Sequence, residues 1–278
     1  MRMRFSRRSI IDPLELQELI STGVEVRLID ASWGSQPVYP YKHIHNAVTF
    51  DIDAVADVNN PLPHMLPDEN TFADSVGIMG INNQDTIVVY DQHGIHLAAS
   101  RVWWMFRFFG HKEVYVLNGG LPYWEHLGLP VNDLPVVFDK SEYKALLRSD
   151  LVADGKEVLQ ALDNEKIDVI DVRSADRFLG MAPEPRVGMR SGHMPNSKNQ
   201  FFVDLMDQST LGLKSEEELE QILSPYKNTS RLIASCGSGV TACVFALGMY
   251  DIYEKDVAVY DGSWSEWGQE SSDFPVAL

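Results

Sequence analysis

The chain holds only two cysteines among its 278 residues, and one of them stands where a thiol can do chemistry. Cys236 closes the β-type run Arg231-Leu232-Ile233-Ala234-Ser235 and opens the loop Cys236-Gly237-Ser238-Gly239-Val240-Thr241-Ala242. From Cys243 to Tyr250 the pattern then reads as a buried helix. Two glycines let such a strand-to-helix loop curl tightly, so that the backbone N–H groups of Gly237, Gly239, Val240 and Thr241 can converge on one anionic group at a helix N-terminus. A thiol in that field ionises more readily, because the N–H dipoles stabilise negative sulfur. Cys236 is therefore the expected nucleophile. Cys243, inside the apolar helix, is expected to be core. On one helix the two would stand about 10 Å apart along the axis, too far for a disulfide. Two cysteines without a disulfide framework predict a reducing compartment, taken as the cytoplasm.

A degenerate internal duplication positions this loop. In the first half Asp12 to Ile20 reads as a helix, with Asp12 as N-cap, Pro13 at N1 and Glu15 closing a capping box, and the strand Val26 to Asp30 follows. The second half repeats the order with a helix over Lys156 to Leu162 and a strand over Asp168 to Val172. Thr86 to Asp91 enters a Gly-containing loop and a long apolar helix, as Arg231 to Cys236 does, so Asp91 stands 145 positions before Cys236. Val114 to Gly120 with Trp124 matches Val257 to Ser263 with Trp267, 143 positions on. Near-constant offsets predict two copies of one α/β unit, each a mainly parallel sheet flanked by helices. The join falls in Pro130 to Tyr143, which sets the domains at 1–138 and 139–278. Trp103, Trp104, Phe106, Phe108 and Phe109 read as helix core, and Ser215 with Glu218 as a capping box opening a solvated helix.

Composition narrows the function. With 23 Lys and Arg against 40 Asp and Glu the formal charge is −17, which repels phosphate backbones and anionic headgroups, so neither nucleic acid nor membrane is an expected partner. No apolar run reaches the ~18 residues of a membrane span, and Arg2, Arg4, Arg7 and Arg8 lead into no signal-type apolar core. His43, His45, His93 and His96 form no recognised ligand spacing, so no metal and no cofactor is expected.

The loop from Cys236 to Ala242 resembles the active-site loop of the two-domain rhodanese superfamily, specifically the 3-mercaptopyruvate sulfurtransferases. The resemblance extends over nearly the whole chain, through His64-Met65-Leu66-Pro67, Arg101 to Phe106, Pro183-Glu184-Pro185-Arg186 and Tyr260-Asp261-Gly262-Ser263-Trp264. It implies tandem rhodanese-like domains, the second catalytic and the first inactive, with Asp91 where the second has Cys236. It implies that Arg177 and Arg186 bind the substrate carboxylate, and guanidinium forks suit that task. It also maps Asp53, His64 and Ser238 onto a proton relay, chemically apt because desulfuration of mercaptopyruvate leaves an enolate to be protonated. The implied partners are a small-molecule sulfur donor and an acceptor that is thioredoxin, a small thiol or cyanide. Departures lie in two turns, where Asn46 and Asn196 stand in place of the family's glycine and put turn geometry in doubt.

Three other readings compete. A phosphatase needs an Arg closing a Cys-x5-Arg loop, and Ala242 holds that position. A thiosulfate sulfurtransferase shares the fold, but its dianionic substrate favours basic residues after the cysteine, where this loop has Gly237 and Ser238; it is the runner-up. The third is a non-catalytic sulfur-carrier or interaction module, against which the intact cysteine loop argues.

Overall fold

The computed structural model describes residues 5–34, 39, 42–94 and 98–278. Arg2, Arg4 and His96 lie outside the described residues. The chain forms two compact units. Unit 1 takes the residues up to Asp57, Leu66–Arg148 and Met206–Lys214, and unit 2 takes Val58–Met65, Ser149–Leu205 and Ser215–Leu278.

In unit 1 the elements are β1 (Ile10–Ile11), α1 (Pro13–Ser21), β2 (Arg27–Asp30), β3 (His43–Ile44), β4 (Ala47–Thr49), α2 (Glu69–Ile78), β5 (Ile87–Tyr90), α3 (Ala99–Phe108), β6 (Val114–Leu117), α4 (Gly120–His126) and β7 (Val131–Asn132). Five strands make a parallel sheet in the order β1-β6-β5-β2-β4, and β3 pairs antiparallel with β7. Unit 2 contains β8 (Val152–Ala153), α5 (Gly155–Ala161), β9 (Ile167–Asp171), α6 (Ala175–Phe178), β10 (Lys198–Asn199), α7 (Glu216–Leu223), β11 (Arg231–Ser235), α8 (Ala242–Tyr253), β12 (Ala258–Tyr260) and α9 (Ser263–Trp267). Its parallel sheet runs β8-β12-β11-β9-β10, the order of unit 1 strand for strand. The duplication read from the offsets is thus a duplicated topology, and the fold is α/β with two helix-flanked sheets.

Both central strands, β5 and β11, are buried almost throughout, as befits parallel strands covered on two faces. The helices after them are also buried. All ten residues of α3 are inside, and its two arginines lay their guanidinium planes over tryptophans, Arg101 over Trp104 at 4.7 Å and Arg107 over Trp103 at 5.0 Å. Such stacking lets charged side chains enter a core that the aromatics of this helix were expected to form.

Side-chain caps mark the starts of α1, α2, α5 and α7. Asp12 caps α1 by accepting from the Leu14 N–H, and Ser215 with Glu218 forms the anticipated capping box of α7. Glu15 does not close a box on α1: its carboxylate accepts from the N–H and hydroxyl of Ser6, at 3.0 and 2.9 Å, because the chain before β1 folds back over that turn. Residues 139–148 run along unit 1. Ser141 and Leu146 donate to the carbonyls of Gly77 and Phe109, and Tyr143 is buried against Phe72, Phe106 and His111. A Cβ on Gly77 would lie 2.6 Å from the Ser141 carbonyl oxygen, so glycine is what admits this strap. No helix among the described residues is long and apolar enough to cross a membrane.

Candidate active site

Cys236 follows β11 directly and is 2% exposed. Its N–H donates to the Ser263 hydroxyl at 3.1 Å, and that hydroxyl donates to the Tyr260 carbonyl at 2.7 Å. The carbonyls of Cys236 and Gly237 accept from the N–H groups of Trp264 and Ser265 at 3.0 and 2.9 Å. The start of α9 therefore ties down the outer side of the loop. Gly239, at φ +76°, reverses the chain in a conformation that only glycine adopts freely. The N–H groups of Gly237, Ser238, Val240 and Thr241 donate to no acceptor among the described residues. They precede the first turn of α8, whose N-cap Thr241 makes no side-chain cap, so donors and helix dipole gather beside the thiol. Cys243, the second residue of α8, is fully buried, with its thiol donating to the Gly239 carbonyl at 3.3 Å.

The two arginines implied by the resemblance come to this loop. A Cβ built on Gly237 would lie 3.6 Å from Arg186 Nη1 and 3.7 Å from Arg177 Nη2. Arg177, at the end of α6, is held by Glu184, whose Oε2 accepts from its Nη2 at 2.5 Å. Glu184 also accepts from Arg173 Nη1 at 2.7 Å, and Arg173 clasps Asp171 at 2.6 Å while stacking on Trp264 at 4.0 Å. Asp171, Arg173, Glu184 and Arg177 thus alternate in sign from the end of β9 to the loop. Arg173 and Glu184 side chains are nearly inaccessible, and a buried charge of this kind persists only when paired and hydrogen-bonded. Arg186 is exposed and has no ion pair or hydrogen bond among the described residues.

Sequence reasoning gave Arg173 no role and Glu184 none beyond its motif. The available signal was the comparison of Asp171-Val172-Arg173 with Asp30-Ala31-Ser32 at the ends of equivalent strands. Ser263 was likewise missed as the acceptor for the Cys236 N–H.

Ser238, 8% exposed, sits within the loop. His64, at φ +60° and 8% exposed, belongs to unit 2 through the stretch Val58–Met65. Asp53 belongs to unit 1, where its Oδ2 accepts from Trp33 Nε1 at 2.6 Å. The fold therefore gathers Cys236, Gly237, Ser238, Gly239, Val240, Thr241, Arg177 and Arg186 around one loop, with His64 in the same unit and Asp53 in the other.

At the equivalent strand end of unit 1, Asp91 is fully buried and its carboxylate accepts three backbone bonds: from His93 at 2.7 Å, and from Ala98 and Ala99 at 3.0 and 3.1 Å. Burial nevertheless outweighs these bonds and pushes its carboxyl up to about 7. His43 and His45 are taken up in bonds within unit 1, the first facing the Ile44 and Leu134 carbonyls and the second the Asn132 side chain. Both doubtful turns are kept: Asn46 and Asn196 each adopt φ 61°, a region asparagine tolerates better than other residues with a Cβ.

A strand-loop-helix unit holding a thiol in a nest of N–H groups, repeated with an aspartate in place of the thiol, defines a class of two-domain thiol enzymes. The rhodanese-like domain model matches residues 12–127 and 154–270. The chain is 41% identical over 273 residues to a thiosulfate sulfurtransferase of Cricetulus griseus, covering 94% of this chain and 92% of the relative. It is 39% identical over 253 residues to a 3-mercaptopyruvate sulfurtransferase of Rattus norvegicus, covering 87% and 84%. The crystal structure of SseA from Escherichia coli, described as a 3-mercaptopyruvate sulfotransferase, superposes with a TM-score of 0.80 at 34% identity, over 92% of this chain and 99% of that one. The chain belongs to the rhodanese family, and it is a sulfurtransferase.

Proposed function

We propose that this sulfurtransferase takes sulfur from 3-mercaptopyruvate through a persulfide on Cys236. The observation that carries this reading is the division of charge at the loop. Gly237 and Ser238 next to the nucleophile are neutral, while two guanidinium groups reach Gly237 from residues outside the loop. A carboxylate carried at a distance from the transferable sulfur suits that arrangement. Thiosulfate, whose charge lies on the group bonded to that sulfur, gains more from cations within the loop.

In the first half-reaction the Cys236 thiolate attacks the donor sulfur. The new S–S bond forms as the C–S bond breaks, and its electron pair passes to carbon as the pyruvate enolate, which takes up a proton. Loop N–H groups offset charge on the sulfur, and Arg186, with Arg177 oriented by Glu184, holds the carboxylate. Asp53, His64 and Ser238 are the proposed proton relay, supported by the resemblance and by His64 and Ser238 sharing unit 2 with Cys236. In the second half-reaction an acceptor nucleophile attacks the outer sulfur and regenerates the Cys236 thiolate. A thiol, thioredoxin or cyanide serves that role, cyanide leaving as thiocyanate. A reducing, cytoplasmic setting agrees with two unbridged thiols.

The second reading, thiosulfate as donor, is favoured by the hamster relative. Two measurements decide between them. Mass spectrometry of the Cys236 peptide after each donor is expected to show one added sulfur atom with mercaptopyruvate. Under matched conditions kcat/KM is expected to be higher for mercaptopyruvate. Gly237→Arg with Ser238→Lys is expected to move the ratio toward thiosulfate, tenfold for each ~1.4 kcal/mol of preferential transition-state stabilisation. Faster turnover of thiosulfate by the unaltered protein makes the second reading correct.

A further inference from the structure

Ser263 opens α9 and is wholly buried, with its backbone at φ +48°, in the left-handed region that favours glycine. The offset of 143 positions sets it against Gly120 of unit 1, which opens α4 at φ +56°. Unit 1 thus makes this turn with the residue that takes it without strain. Unit 2 makes it with a serine, and a backbone strained in this way persists beside a functional group where the side chain is needed.

The side chain holds the backbone of Cys236. Its hydroxyl accepts from the Cys236 N–H at 3.1 Å and from the Ser235 hydroxyl at 3.4 Å, and it donates to the Tyr260 carbonyl at 2.7 Å. A hydroxyl has one proton and two lone pairs, so all its capacity is used and no proton is left to turn toward the thiol. The next two residues take the carbonyls, Trp264 N–H donating to Cys236 and Ser265 N–H to Gly237. Three consecutive residues thereby clamp both polar backbone groups of Cys236 and the carbonyl after it. In unit 1 one of the three bonds survives. Leu121 N–H donates to the Asp91 carbonyl at 2.9 Å, but Gly120 has no hydroxyl, and Pro122, where unit 2 has Ser265, has no N–H. The full clamp accompanies the thiol, and the reduced one accompanies the aspartate.

We infer that Ser263 is a positioning residue for the nucleophile, an inference that rests on the reading of Cys236 as the sulfur carrier. By holding the Cys236 N–H, the hydroxyl fixes the backbone of that residue and so the direction of its Cα–Cβ bond. The sulfur is thereby kept beside the loop N–H groups that precede α8, where negative charge on it is stabilised. Ser263 acts through the cysteine backbone and touches no substrate. The arginines assigned to the donor carboxylate stand on other segments, so losing the hydroxyl falls on kcat and spares KM.

The test reads the thiol directly as well as turnover. Ser263→Ala removes the hydroxyl and keeps the Cβ, while Ser263→Gly removes both and restores the residue of unit 1. In each variant shown by circular dichroism to be folded, alkylation of Cys236 by iodoacetamide near neutral pH is followed by mass spectrometry of its peptide, which separates it from Cys243. The rate is expected to fall about tenfold. With whichever of mercaptopyruvate and thiosulfate is turned over, kcat is expected to fall about tenfold and KM to stay within about threefold. A serine that merely supported the fold would give the opposite sign, since loosening uncovers a thiol that is 2% exposed and speeds its alkylation. Ser263→Gly carries the test if Ser263→Ala does not fold, because Gly120 shows that this turn accepts glycine. Alkylation unchanged or faster in a folded variant, or a loss confined to KM, overturns the inference. Substantial turnover by Cys236→Ser overturns the reading of Cys236 and this inference with it, and is told apart because it needs no Ser263 variant.

Discussion

The ends of β5 and β11 hold the same position in two copies of one topology, yet one carries Asp91 and the other Cys236. Both are buried. At Asp91 the following N–H groups close on the carboxylate of the chain itself, three bonds to two oxygens, so the anion that the backbone can hold is supplied from within. At Cys236 the corresponding donors of Gly237, Ser238, Val240 and Thr241 take no protein acceptor among the described residues, and two guanidinium groups stand at Gly237. A loop that cradles anions can be structural or reactive according to whether its first side chain fills it. A carboxylate fills it and has no sulfur chemistry, whereas a thiol leaves it open to a donor.

The harshest test of that contrast removes the thiol. Cys236→Ser is expected to lower sulfur transfer by about 10³-fold or more, since the covalent route is lost. Cys243→Ser is expected to stay within a few-fold of the unaltered protein, because that thiol packs inside α8. Pyruvate release with each variant gives both numbers, and substantial turnover by Cys236→Ser would end the assignment.

Arg186→Lys keeps the charge but loses the fork, and a KM for mercaptopyruvate raised about tenfold is expected from the weakened charge-assisted bonds. Glu184→Gln should act in the same direction by loosening Arg177. Unchanged KM values in both variants would place the carboxylate elsewhere.

Asp91 sharpens the other half of the comparison through pH. Its carboxyl rises from 3.8 to about 7 on folding. Between those values the folded chain keeps a proton that the unfolded chain has released, so this group's contribution to stability falls as pH rises from about 4 to about 7 and is flat above that. Asp91→Asn does not titrate, and its amide nitrogen cannot accept the N–H bonds that one carboxylate oxygen receives. The variant is expected to lose about 1–3 kcal/mol at pH 8. The stability of the unaltered protein relative to it should improve toward pH 5. Urea unfolding of both proteins at the two pH values checks this, and a gap independent of pH would contradict a raised Asp91.

The smallest effect is expected in the turns that the two halves share. Asn46→Gly and Asn196→Gly should change stability by no more than about 0.5 kcal/mol, whereas valine at either site should cost about 1–2 kcal/mol at φ 61°. Thermal melts of the four variants separate these outcomes.

Much of this arrangement is legible in local sequence because its causes are local. Glycine spacing after a β-type run makes the Cys236 loop, apolar periodicity marks the covered strands, and Ser215 with Glu218 signals a helix start. The duplication follows from repeated offsets of these same patterns. Other features depend on partners far apart in the chain. Helix α8 runs on to Tyr253, past the expected Tyr250, before Glu254 turns left-handed at φ 53°. Residues 58–65 join unit 2 and residues 206–214 join unit 1, which no periodicity marks. Glu15 fits a capping box by spacing, yet Ser6 takes its carboxylate once the chain folds back. Arg173 and Glu184 look like ordinary charges in a loop until parallel packing of β9 beside β11 brings them behind the cysteine. Turn and helix signals act over a few residues and can be read in line, whereas a buried chain of alternating charges exists only where the folded chain decides which counter-charge arrives.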